Sequence, residues 1–149
     1  MKVEWVLQPE LEEPKVVIYA GEKTQALLEL ERQLSGWNLS PIPATLGEDT
    51  LLLPPEQVLR FYTDGKGVCA QTAAQTCAVR LRLYELEERL DPRTFVRISN
   101  SEILNLKKIT AMDLSLTGTI RITLEGGTVT YVSRRYVKKI KEALGLGRR

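Results

Sequence analysis

Short runs of strand-forming residues recur along most of this chain, separated by turn residues at hairpin spacing, and that rhythm limits the fold more than any other feature. Thr45 and Leu46 are parted from Leu51, Leu52 and Leu53 by Gly47, Glu48 and Asp49. Residues 58–63 run into Asp64-Gly65, a strong short-range hairpin signal, and residues 68–72 follow it. A polar turn at 73–75 precedes a further run at 76–80. Beyond it come residues 95–98, 109–114 and 119–124, a Gly126-Gly127 turn, and residues 128–132. Strands joined this closely pair antiparallel, because a parallel pair needs a crossover of a dozen or more residues. The expected class is therefore mainly β with α (α+β), and not a parallel α/β sheet.

Three segments have helical spacing instead. Thr24 can cap a helix to about residue 34, with Ala26, Leu27, Leu28, Leu30 and Leu34 on its apolar face and Gly36 as its stop. Leu83, Leu86 and Leu90 form one face of a short helix closed by Asp91-Pro92. The last runs from Ser133, as N-cap, to Leu144, with Gly145 as its end. Its apolar face holds Tyr136, Val137, Ile140, Ala143 and Leu144. Residues 2–7 alternate polar and apolar, and residues 15–20 contain Val-Val-Ile-Tyr, so both predict strands. With the first helix they make a small ββα module over residues 1–44, followed across a proline-bearing linker at 40–43 by a second domain over residues 45–149.

The charge is divided along the chain. Residues 93–149 carry twelve Lys/Arg against four Asp/Glu, a net of +8, whereas residues 1–92 carry nine against fifteen, a net of −6. Clustered cations on one part of a molecule are the footprint expected of a nucleic-acid face, because neutralising phosphates releases counterions. Arg134, Arg135, Lys138, Lys139 and Lys141 cover the outer face of the last helix. Arg134 and Arg135 fall in its first turn, where a cation opposes the helix dipole, so the dipole does not explain them.

Other chemistries lose support. The chain has no histidine, which removes Ser-His, Cys-His and His-ligated metal sites. The acid clusters Glu10, Glu12, Glu13 and Glu85, Glu87, Glu88 read as solvated faces. Cys69 and Cys77 match no zinc-ligand spacing and read as reduced structural thiols. No enzyme activity, metal or cofactor is expected. No run reaches the roughly 18 apolar residues of a membrane span, and Glu4 sits where a signal peptide would turn apolar, so a cytoplasmic protein is expected.

The segment from Phe61 to Leu146 resembles the LytTR DNA-binding domain of bacterial transcription regulators. The resemblance is carried by Phe95-Val-Arg-Ile-Ser-Asn-Ser-Glu-Ile-Leu-Asn105, then Ile109, then Thr130-Tyr-Val-Ser-Arg-Arg-Tyr136 and Lys138-Lys139-Ile140. It implies an elongated β domain that lays loops into successive major grooves of promoter DNA. Carried over residue by residue, it makes Asn100 and Arg135 base readers, with Lys66 in the 64–67 turn the nearest candidate for a third, although family members that place a histidine there differ from this chain. Arg97, Ser101, Arg134, Lys138 and Lys139 are then assigned to phosphates. The chemistry is apt, since Arg can bond guanine O6 and N7 together and Asn can pair with adenine N6 and N7.

Each assignment has a plainer counterpart. Asn100 suits a turn at a strand end, Arg97 suits a salt bridge within the sheet, and Asn105 suits satisfying backbone groups in a turn. Only about forty-five residues precede the domain, too few for a receiver with a phosphorylatable Asp. A compact subgroup of the family, similar in its Phe-Tyr-Thr and Leu-Tyr-Glu-Leu-Glu-Glu-Arg-Leu segments, implies a homodimer and a small multi-pass membrane protein that restrains the regulator. The alternative function is a protein-interaction module whose basic C-terminal face docks an acidic or membrane partner. RNA binding has less support, because the aromatic residues lack the spacing of a base-stacking sheet.

Overall fold

A computed structural model describes residues 1–12, 14–35 and 41–146. The chain forms α1 (Gln25–Ser35), β1 (Ile42–Leu46), β2 (Asp49–Leu53), β3 (Val58–Asp64), β4 (Gly67–Thr72), β5 (Thr76–Val79) and α2 (Leu83–Arg89). It continues with β6 (Phe95–Ser99), β7 (Glu102–Asn105), β8 (Ile109–Asp113), β9 (Ile120–Leu124), β10 (Val129–Val132) and α3 (Val137–Ala143). The strands make two antiparallel sheets, one of seven in the order β2-β1-β5-β4-β3-β7-β6 and one of three in the order β10-β9-β8.

The mainly β, α+β architecture follows from the hairpins. In the β3–β4 hairpin Asp64 pairs with Gly67, leaving Gly65 and Lys66 as the loop, and Gly65 takes φ +64°, a conformation that costs a side-chain-bearing residue. The α2 helix lays Leu83 and Leu86 on the sheet, while the Glu85 carboxylate accepts the Arg82 amide at 3.0 Å and closes its first turn. One core gathers Ile42, Val58, Phe61, Ala70, Cys77, Leu86, Phe95 and Ile103 under α2. A second, of Leu59, Ile98, Leu104, Ile120, Ile122, Leu124, Val132 and Ile140, lies between the small sheet, the far face of the large one and α3.

Several expectations are corrected. Residues 2–7 and 15–20 form no strand: their side chains are exposed, Trp5 at 87%, and no neighbouring edge takes up their backbone groups. Without a partner strand and a face to bury, alternation alone does not hold a ladder together. The α1 helix does form, with Thr24 Oγ1 accepting the Leu27 amide at 3.2 Å, while the Gly36 stop and position 40 of the linker lie outside the described residues. The large sheet begins at Ile42, and Ile42 and Ala44 are already buried in the first core, ahead of residue 45.

Strand β7 joins the sheet between β3 and β6 without having been expected. The last helix is shorter than its spacing predicts. Ser133 makes no side-chain cap; its amide donates to the Ile98 carbonyl at 2.9 Å and its carbonyl accepts from the Tyr136 amide at 2.8 Å, so a 3₁₀ turn, Arg134–Tyr136, precedes α3. Ala143, expected on the apolar face, is exposed, and Lys141 is half-buried. At the far end Gly145, at φ +73°, ends α3 while the Leu146 amide donates to the Lys141 carbonyl at 2.7 Å.

Candidate nucleic-acid interface

The two sequence blocks that carry the family resemblance meet at one end of the large sheet. Strands β6 and β7 join through a turn in which Ser99 pairs with Glu102, leaving Asn100 and Ser101 at the tip. The Ser99 hydroxyl accepts the Ser101 amide at 3.1 Å, and the two serine hydroxyls lie 3.2 Å apart. Ser101 in turn accepts the Thr63 amide on its carbonyl at 2.9 Å, which joins this turn to the end of β3 and so to the loop bearing Lys66. From the other block, the Tyr136 hydroxyl donates to Asn100 Oδ1 at 3.2 Å. Together with the Ser133–Ile98 bond, this seats the Arg134–Tyr136 turn against the Asn100 turn.

Asn100, Ser101, Lys66, Arg134, Arg135, Lys138 and Lys139 are all exposed. Among the described residues, no hydrogen bond or ion pair engages the side chains of Lys66, Arg134, Arg135 or Lys138. Lys139 lies 6.0 Å from the Tyr136 ring centre. Arg134 leans over Gly118, whose φ is +77°; a Cβ there would come within 2.9 Å of Arg134 Nη2. Two nearby acids are paired, Glu87 with Arg97 at 3.0 Å and Glu102 with Arg60 at 3.2 Å, so neither offsets the exposed cations in full.

Arg97 departs from the others. Its side chain is only 14% exposed, Nη2 meets Glu87, and Nη1 donates to the Asn100 carbonyl at 3.1 Å. It braces the Asn100 turn from beneath and ties it to α2, so its salt bridge runs from sheet to helix and not within the sheet. Asn105 also has the structural role: Nδ2 donates to the Val58 carbonyl at 2.8 Å, and Oδ1 accepts the Lys107 amide at 2.9 Å.

Sequence reasoning missed the polar bridge between the sheets. The Glu102 carboxylate, almost fully buried, accepts from Arg60 on β3 and, at 2.8 Å, from the Thr130 hydroxyl on β10. Arg60 Nε donates to Gln71 Oε1 at 2.7 Å, and Gln71 Nε2 donates to the Thr128 hydroxyl at 2.9 Å. The guanidinium of Arg60 also lies 4.3 Å from the centre of the Tyr62 ring. A single charge inside an apolar strand, as in Leu59-Arg60-Phe61 and Ser101-Glu102-Ile103, is the signal that could have found it, since a buried charge requires a partner.

Residues 48–145 match the model of the LytTr DNA-binding domain family, which covers more than half of the chain. The chain belongs to the LytTR family. Two Staphylococcus aureus proteins, from strains NCTC 8325 / PS 47 and MRSA252, are 46% and 45% identical to it over 89 residues, and each is named an uncharacterized HTH-type transcriptional regulator. The match covers 60% of this chain and 60% of each of those proteins. A solved LytTr DNA-binding domain from Bacillus cereus superposes with a TM-score of 0.68 at 22% identity, over 71% of this chain and 97% of that one, and so shares its fold. In this LytTR chain the two blocks that carry the resemblance are thus neighbours in space as well as parts of one domain. Among the described residues no helix is long and apolar enough to cross a membrane.

Proposed function

We propose that this chain is a sequence-specific transcription regulator that binds promoter DNA through its β domain, reading base edges in successive major grooves with loops. Asn100 and Arg135 are the base readers, and Lys66 is the third contact. Arg134, Lys138, Lys139 and Ser101 hold phosphates, while Arg97 positions the Asn100 turn. The reading rests on one observation above all: the Tyr136 hydroxyl reaches Asn100 at 3.2 Å, so an adenine-type reader and a guanine-type reader from separate blocks share one exposed, cationic end of the sheet. Tyr136 occupies one lone pair of Asn100 Oδ1, which leaves the second lone pair to accept from adenine N6 and the amide group to donate to N7.

On this reading the residues that precede β1 form a regulatory or dimerising module, and two copies occupy a direct repeat spaced by about one helical turn, ~10 bp, on one face of the duplex. A small multi-pass membrane protein would restrain the regulator through that module. Selection from randomised duplexes at fixed salt, followed by titration of variants, tests the assignment. Arg135→Ala is expected to lose about 1–3 kcal/mol of discrimination at one base pair. Lys138→Ala should weaken operator and random DNA alike and flatten the salt slope by about one unit. Equal losses on operator and random DNA for both variants would overturn the division of labour. A tight complex with an acidic protein and no preference among DNA sequences would favour the interaction-module alternative.

A further inference from the structure

The reading turn and the strand that delivers Arg135 are fastened together twice. The outer fastening combines an exposed bond, Tyr136 to Asn100, with a backbone bond from the Ser133 amide to the Ile98 carbonyl. The inner one is the buried polar bridge, and Glu102 is its centre. Glu102 follows the Asn100-Ser101 tip directly and is 8% exposed. Its Oε1 accepts from Thr130, two residues before the end of β10, and β10 passes through Ser133 straight into Arg134 and Arg135. Its Oε2 accepts from Arg60 at 3.2 Å, and Arg60 is itself fixed by Gln71, which reaches the same small sheet through Thr128.

The geometry points to Glu102 as a positioning residue for sequence discrimination: held between Arg60 and Thr130, its carboxylate sets the spacing of Asn100 and Arg135. This rests on the proposed base-reading roles of those two residues. The physical argument concerns what apolar packing cannot do. The second core, between the sheets, fills volume, but dispersion contacts are non-directional and tolerate small sliding and rotation of one sheet on the other. Hydrogen bonds to a buried carboxylate are short and directional, and any slip that breaks one leaves a desolvated charge, so the bridge selects a single relative setting. Two readers whose bidentate contacts tolerate only small misalignment need such a setting, whereas phosphate contacts through long Lys and Arg side chains do not.

The consequence separates two measurable quantities. A loosened bridge should cost discrimination while leaving the sequence-independent attraction intact, because none of the bridge residues carries a free positive charge on the DNA face. The test compares Glu102→Gln, Thr130→Val and Thr130→Ser with the unchanged chain, measuring Kd for the selected operator and for random DNA at one salt concentration, with thermal stability recorded for each. Glu102→Gln places an amide donor among the Arg60 and Thr130 donors, and Thr130→Val removes the hydroxyl while keeping the shape. Both are expected to lower the ratio of random to operator Kd about tenfold, the scale of one impaired bidentate contact; random-DNA Kd and salt slope stay unchanged in Thr130→Val, whereas Glu102→Gln, which leaves the Arg60 charge unpaired, should bind random DNA somewhat more tightly. Thr130→Ser retains the hydroxyl and should retain the ratio.

Val79→Ala, in the other core and away from the bridge, controls for lost stability and should leave the ratio unchanged. Adding Glu102→Gln to Arg135→Ala should cost less discrimination than it does alone, since the residue it positions is gone. If Glu102→Gln fails to fold, the two Thr130 variants decide. An unaltered ratio in Thr130→Val, or an equal loss in Val79→Ala, overturns the inference while leaving the reader assignment intact. An unchanged chain with no operator preference overturns both.

Discussion

Residues 2–7 and residues 102–105 reverse what their sequences suggest, and the contrast shows what makes a strand. Lys2-Val-Glu-Trp-Val-Leu7 alternates polar and apolar, yet its side chains stand in solvent and no ladder forms. Glu102-Ile-Leu-Asn105 has no alternation at all, yet becomes β7 with all four residues buried. The difference is the neighbourhood. Strand β7 is flanked by β3 and β6, so both backbone edges are paired, and each face meets a different core: Ile103 on one side, Leu104 on the other. A strand buried on both faces has no reason to alternate, and one with no neighbour gains nothing from alternating.

The largest expected effect comes from attacking that interior. Ile103→Ala removes a side chain that is 1% exposed beside Phe61 and should cost about 2–5 kcal/mol in urea unfolding. Removing residues 1–12, which contribute no buried side chain, should shift stability by less than about 0.5 kcal/mol. A truncated chain destabilised as much as the Ile103 variant would mean that the amino-terminal segment has a partner strand in solution. The contrast would then collapse.

Asn105→Ala gives an intermediate effect and asks how much of β7 is held by polar groups. It leaves the buried Val58 carbonyl and the Lys107 amide without their partners, with an expected cost of about 1–3 kcal/mol by the same unfolding measurement. Asn105→Asp should be no better, because a carboxylate can still accept from Lys107 but cannot donate to Val58. An Asp variant as stable as the parent chain would show that the Val58 bond contributes nothing.

The same contrast explains which features were legible in the sequence. Tight hairpins were, because Asp64-Gly65 and Gly47 mark places where few other residues can go. The paired blocks around Asn100 and Arg135 were legible as motifs, and so was the structural use of Asn105. Strand β7 was not, since its two-residue turn carries Asn and Ser rather than Gly and its own residues show no period. The role of Arg97 stayed open between sheet and DNA because only the fold brings Glu87, from α2, beneath the Asn100 turn. Helical spacing puts Tyr136 on an apolar face, which its ring does occupy, but the hydroxyl that reaches Asn100 depends on the 3₁₀ turn that replaces the expected helix start. Bridges such as Thr130–Glu102 join residues 28 positions apart across two sheets, and no local pattern encodes that distance.

The smallest expected effect concerns a third kind of segment, exposed like residues 2–7 but locally organised. At the end of β8, Asp113 Oδ1 accepts the Ser115 hydroxyl at 2.6 Å and the Ser115 amide at 2.9 Å, and Arg121 lies 3.8 Å from the carboxylate. The Ser115 hydrogen bonds, hydroxyl first and amide second, hold the Asp113 carboxyl below its ordinary range against the opposing effect of desolvation, with a further contribution from the Arg121 charge. A carboxylate whose pKa is lower folded than unfolded contributes stability that is present above the unfolded value and is lost as pH falls through the folded one. The Ser115 amide resonance should therefore titrate with a midpoint below the usual aspartate value of about 3.9, and Asp113→Asn should abolish that titration while leaving β8 and β9 paired. A midpoint at or above the ordinary value would show that the turn is no more ordered than the amino-terminal segment. Exposure alone would then decide order on this surface, and local hydrogen bonding would not.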